Sequence, residues 1–139
     1  MMKKILLLIV AVVVLYAAMN HKFLMAMTYL HDNDSTNDMQ AVVLLEESIS
    51  ENKDSKSAFL LGYYYKTSKF NNINMNLSHK NYFKAATWGD EEAKMIVAWN
   101  LYKGKGCSKN ITESKNMLTQ LAINGNSKAK EVLKFVIRN

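Results

Sequence analysis

The sequence predicts an all-α fold: a short right-handed α-solenoid of helix-turn-helix repeats behind an N-terminal apolar targeting or anchor helix. Three observations predict it. The first is a register of 36 residues. Ala26, Gly62 and Ala98 are in step, preceded by Met25, Leu61 and Val97 and followed three positions later by Tyr29, Tyr65 and Leu101. Asp38, Asn74 and Asn110 keep the same step, as do Gly89 with Gly125, Asp90 with Asn126 and Ala93 with Ala129. A fixed period of this size marks an array whose units bury their apolar faces only against neighbours. The second is the absence of any proline to break helices. The third is an apolar run from Ile5 to Met19 directly behind Met-Met-Lys-Lys.

Each unit reads as two helices. In the first helix Ser57, Leu61, Gly62 and Tyr65, and then Ala93, Val97, Ala98 and Leu101, stand at offsets that share one stripe. The small residue in mid-stripe lets a neighbouring helix approach closely. Asp38, Asn74 and Asn110 open the second helix as N-caps, each able to accept from a free backbone N–H. That helix buries Val42, Leu45 and Ile49 in the first copy, and Tyr82, Ala85 and Ala86 in the second. The third copy buries Met117, Leu118, Leu121 and Ala122. Gly89 and Gly125 suit the left-handed conformation that ends a helix. The expected helices run near 21–31, 38–52, 57–67, 74–88, 93–103, 110–124 and 127–138. The expected division is residues 1–20 as targeting segment and 21–139 as array. Within the array the units are 21–56, 57–92 and 93–128, followed by a closing helix from 129 to 139.

The runs Leu61-Gly62…Tyr65, Ala85-Ala86-Thr87-Trp88-Gly89 and Gly104-Lys105-Gly106-Cys107 resemble the Sel-one-like repeat, a relative of the tetratricopeptide repeat. In that family a glycine-x-glycine turn links the two helices, and an alanine pair followed by glycine closes the second. The third copy fits best. The first two carry Asp32 and Asp34, then Ser68 and Phe70, in the glycine slots, and the first has Lys53 in place of the closing glycine. The resemblance implies a binding scaffold. Its members serve as adaptors, in host contact, or as immunity proteins that neutralise secreted toxins.

At 139 residues there is room for one domain. The apolar run is either a secretory signal or an uncleaved anchor. Ala17 and Ala18 are small, but Leu15 or Tyr16 would occupy the outer position of the cleavage site. Fifteen apolar residues span about 22 Å, short of a roughly 30 Å bilayer core, unless Lys3, Lys4 and Lys22 snorkel or the helix continues through Phe23 to Leu30. In both cases the lysines stay inside and the array is exported to the periplasmic side, anchored or soluble. The net charge of +6 is uneven. Residues 21–93 carry −3, and residues 94–139 carry +7 from nine basic and two acidic side chains. This basic end can steer an acidic partner. A single arginine and the export signal argue against nucleic acid.

Catalytic chemistry finds no support. His21, His31 and His79 have no metal-ligand spacing, and the polar run His31–Asp38 fails as a calcium loop because Asn37 and Val43 hold the positions that need glycine and glutamate. Gly104-Lys105-Gly106 follows a helix, so it is not a phosphate-cradling loop. Cys107, the only cysteine, reads as a small apolar side chain. No enzyme activity, cofactor or metal is expected. Met27, Tyr63 and Trp99 each follow the small residue of their repeat by one position. They either form an apolar ladder along a groove or are buried between layers. With Lys66, Tyr102 and Lys103 on the same helices, they are the candidate partner-binding residues, centred on Tyr63, Trp99, Tyr102 and Lys103. The expected function is an exported protein–protein interaction module, adaptor or inhibitor, that holds a protein or peptide on its concave face. The alternative is a cell-envelope polysaccharide-binding or wall-modifying protein.

Overall fold

The computed structural model describes residues 2–31, 35–67 and 73–138, which form seven helices and, among those residues, no strand. They are α1 (Met2–His31), α2 (Ser35–Asn52), α3 (Ser55–Lys66), α4 (Met75–Thr87), α5 (Glu91–Lys103), α6 (Ile111–Ile123) and α7 (Ser127–Arg138). The boundaries from α3 to α7 fall within two residues of those expected. The inter-helix positions Asp32, Asp34, Ser68 and Phe70 lie outside the described residues. By packing, the chain forms two compact units, Met1–Asp54 and Ser55–Asn139.

In the first unit one expectation is corrected, the cap at Asp38. The apolar segment and the first repeat helix are one continuous helix, about 45 Å long at 1.5 Å per residue. Between Ile5 and Ala17 every described side chain is exposed. From Asn20 onward the helix turns amphipathic, with Ala26 and Leu30 buried. They pack with Ala41, Leu45 and Ile49 of α2 in the core of this unit. Lys22 Nζ, one turn before Ala26, pairs with Glu47 at 3.0 Å and Glu51 at 2.8 Å. Helix α2 starts three residues early, so Asp38 sits inside its first turn. There its negative charge still complements the helix dipole.

Lys53 occupies the closing-glycine position and keeps the glycine's conformation. Its φ is 50°, against 98° and 95° at Gly89 and Gly125, and its N–H donates to the Ile49 carbonyl at 3.1 Å. A side chain in this left-handed region costs about 1 kcal/mol or more. Lys53→Gly is therefore expected to stabilise the first unit by a few tenths to 1 kcal/mol, since glycine's greater chain entropy offsets part of the gain. Thermal denaturation of the two proteins checks this; an unchanged or lower midpoint would show that Lys53 is not strained.

The second unit repeats itself atom by atom. The Asn74 and Asn110 N–H groups donate to the Tyr65 and Leu101 carbonyls, both at 2.8 Å. Their side chains cap α4 and α6 by accepting from Leu77 and Glu113, both at 3.0 Å. Ser78 and Ser114, both fully buried, donate to the Gly62 and Ala98 carbonyls at 2.8 and 2.7 Å. Asp90 and Asn126 cap α5 and α7 through the Ala93 and Ala129 N–H groups. Every one of these pairs is separated by 36 residues. A helix N-terminus leaves orphan donors, and the repeat answers them identically each time. The core follows the same logic. Tyr82 is buried against Gly62 and meets Phe59 edge-on, with ring centroids 5.2 Å apart. One unit later Ala98 joins Tyr102, Leu118, Leu121, Ala129 and Val136.

Candidate functional groove

Along α5 the second unit opens a groove of about 580 Å³. Successive turns of α5 contribute Glu91 and Glu92, then Met95 and Ile96, then Trp99 and Asn100. Lys66 at the end of α3, Met75 at the start of α4 and Lys105 from the α5–α6 loop close one end. Asn126, Lys128 and Val132 of α7 contribute the remaining wall. The apolar floor is consistent with sites that bury a ligand's nonpolar surface while a few polar groups orient it.

Helix α5 carries two jobs on adjacent faces. Val97, Ala98 and Leu101 go to the core. Trp99, one residue round from Ala98, is half-buried and reaches the groove. On its other side it joins Tyr102 and Phe135 in an aromatic triad, with centroids 5.6 Å from Tyr102 and 5.9 Å from Phe135. Tyr102 meets Phe135 edge-on at 6.1 Å. Lys103 Nζ lies 5.0 Å from the Trp99 centroid and 4.9 Å from that of Tyr102, within cation–π range of both.

The candidate residues thus divide. Lys66 and Trp99 meet in the groove. Tyr102 is only 8% exposed and belongs to the core cluster, where its ring backs Trp99. Lys103 caps the aromatic triad instead of lining the groove. Tyr63 is 50% exposed and is not among the groove's lining residues. Met27 is exposed on α1, in the other unit. Of the three ladder residues, Met27 and Tyr63 are exposed and Trp99 is half-buried. Sequence reasoning missed Met75, Met95, Ile96, Lys105 and Val132, and it missed Phe135. The amphipathic pattern of α7, with Val132 and Val136 one turn apart, was the signal that this helix has packing faces of its own.

Three titratable groups near these elements are tuned by burial. Burial lowers His79 below the usual histidine range, opposed by the Glu113 charge; its Nδ1 lies 3.5 Å from Asn100 Nδ2 at the groove. Burial pushes the Tyr82 hydroxyl up. At Cys107 burial first, and the Glu113 charge second, raise the thiol above its ordinary value. That shift disfavours the thiolate that nucleophilic or redox chemistry needs, and accords with a packing role for Cys107.

No protein-family model and no curated protein matches the sequence. Among solved structures, the chain is similar to a Sel1 repeat protein from Oxalobacter formigenes, with a TM-score of 0.69 and 27% sequence identity. The likeness covers 84% of this chain and 87% of that one. Repeat signature, paired caps and structural likeness agree: the chain is an all-α repeat protein similar to that Sel1 repeat protein, with an apolar N-terminal helix.

Proposed function

We propose that this protein is an exported binding module, adaptor or inhibitor, that holds a segment of a partner protein in the α5 groove. The observation that carries this reading is Trp99. A large indole, half-buried on a packed aromatic base, opens onto a floor of Met95, Ile96 and Val132. Rigid aromatic anchors of this kind dominate the energetics of protein interfaces. The N-terminal helix supports export to the membrane. Leu7–His31 is long and apolar enough to cross a bilayer by length and composition. The exposed aliphatic surface before Ala17 has no protein partner among the described residues. Lys3 and Lys4 precede it, the arrangement that keeps the N-terminus inside and the array outside.

A photo-crosslinking side chain at Ile96 tests the groove in cells, with the exposed Lys80 of α4 as the control position. Adducts to a discrete protein are expected from Ile96 and not from Lys80. Trp99→Ala should abolish them, because losing such an anchor costs about 2 kcal/mol or more of binding, roughly thirtyfold in affinity. Melting is measured alongside. Should Trp99→Ala unfold the second unit, the indole belongs to the core; should the adducts survive in a folded variant, the partner sits elsewhere.

A further inference from the structure

The groove has a direction. Its floor follows α5 from Glu91 to Asn100, about 14 Å at 1.5 Å per residue. At the far end stand two lysines, Lys66 and Lys105, on segments that backbone contacts fix. The Lys105 N–H donates to the Asn100 carbonyl at 3.0 Å, and Gly106 lies against the Met75 carbonyl. Lys66 is brought to the same corner because the Asn74 N–H closes on the Tyr65 carbonyl at 2.8 Å. At the near end stand Glu91 and Glu92, exposed in the first turn of α5, where the helix dipole favours carboxylates. Asn126 Nδ2 donates to Glu91 Oε2 at 3.5 Å. Lys128 of α7 stands at that end too, leaving it net acidic by one charge, while the far end is basic by two. Met95, Ile96 and Trp99 separate the ends.

We propose, building on the groove as the partner site, that it recognises a dipolar peptide segment. An acidic group of the segment docks at Lys66 and Lys105, apolar side chains fill the middle, and a basic group docks at Glu91 and Glu92. At about 3.3 Å per extended residue, the two charges of such a segment are separated by roughly four residues. Charge complementarity sets the orientation and excludes single-sign segments, since like charges at either end are penalised. This reading refines the sequence-based expectation of an acidic partner: the segment must be acidic at one end only.

The probe is a random heptapeptide display library selected on the full chain in detergent. Sequences with one acidic and one basic side chain flanking an apolar stretch are expected to dominate. In the double variant Lys66→Glu, Lys105→Glu, both sites being exposed, selection should move to peptides basic at both ends. A selected dipolar peptide should bind that variant about tenfold more weakly than wild type, an effect lost in high salt. Trp99→Ala should weaken every selected peptide at any salt concentration. Uncharged or single-sign winners, or an unchanged preference in the double variant, overturn the polarity but leave the groove standing if binding still depends on Trp99. Selection that yields no Trp99-dependent peptide overturns both.

Discussion

Gly62→Leu is expected to melt the second unit by roughly 10–20 °C below wild type. Even a methyl group at Gly62 would lie 3.0 Å from two atoms of the Tyr82 ring and 3.2 Å from the Ser78 carbonyl. Tyr82 cannot yield, because it is buried and already meets Phe59. The α3–α4 crossing must therefore widen, which strains the Ser78 hydroxyl bond to the Gly62 carbonyl. Overpacking of this kind costs about 1–3 kcal/mol, and in a domain of this size each kcal/mol moves the midpoint by about 4–8 °C. Gly104→Ala is the contrast. A methyl group there meets only ordinary contacts, the nearest Lys109 Cβ at 3.4 Å, and the loss is the cost of a φ of 70°, about 1 kcal/mol. Equal midpoints for Gly62→Leu and wild type would show that the small residue is not a packing contact.

Gly106→Ala is expected to be the most damaging single methyl group among the glycine positions, although only Lys105 separates it from Gly104. Its φ is also 70°, but its Cβ would collide with the Met75 carbonyl. The obstacle is backbone, so no rotamer relieves it. Either the α5–α6 loop lifts away or the first turn of α4 moves. A loss of about 3 kcal/mol or more follows from the combined clash and left-handed strain. Hydrogen exchange should show it locally, as faster exchange of the Asn110 N–H that closes on Leu101. Lys105 would move with the loop, so peptide binding should fall even below the melting transition. If Gly106→Ala and Gly104→Ala melt together, the loop does not pack on α4.

The helices and their caps were legible because they depend on local chemistry repeated at a fixed step. Asn74 and Asn110 cap the helices where the register placed them, and Gly62 and Ala98 lie at the crossings. Asp38 was misplaced because α2 begins at Ser35, three residues before the register's cap position, although Ser35, Thr36 and Asn37 are poor helix formers. The groove was only partly legible. Trp99 and Lys66 emerged from the helical stripe, but Lys105 and Met75 meet through the approach of a loop to a helix end, which no periodicity encodes. Phe135 stands one 36-residue step after Trp99, so the register reaches it, but its role depends on ring contacts with Tyr102 and Trp99 two helices earlier, which no periodicity encodes. Burial of Tyr102 was hidden for the same reason. The conformation of Lys53 shows the converse: the repeat's geometry persists where its preferred residue does not.

The paired hydrogen bonds of the second unit also bear on how this molecule can vary in length. Each junction is closed by the same three elements: a cap amide on a carbonyl nine residues back, a serine hydroxyl on a carbonyl sixteen residues back, and a small residue at the crossing. A segment of 36 residues inserted between Trp88 and Asp90 carries its own complete set and meets the same neighbours on both sides. A residue gained or lost within a helix of that segment would turn the rest of that helix's stripe by about 100° away from its neighbours. The fold therefore accepts growth in whole steps only, and each step adds another α5-like face beside the first. Natural or engineered lengthening of this chain would extend the binding surface in discrete increments while leaving the N-terminal helix and the closing helix α7 untouched.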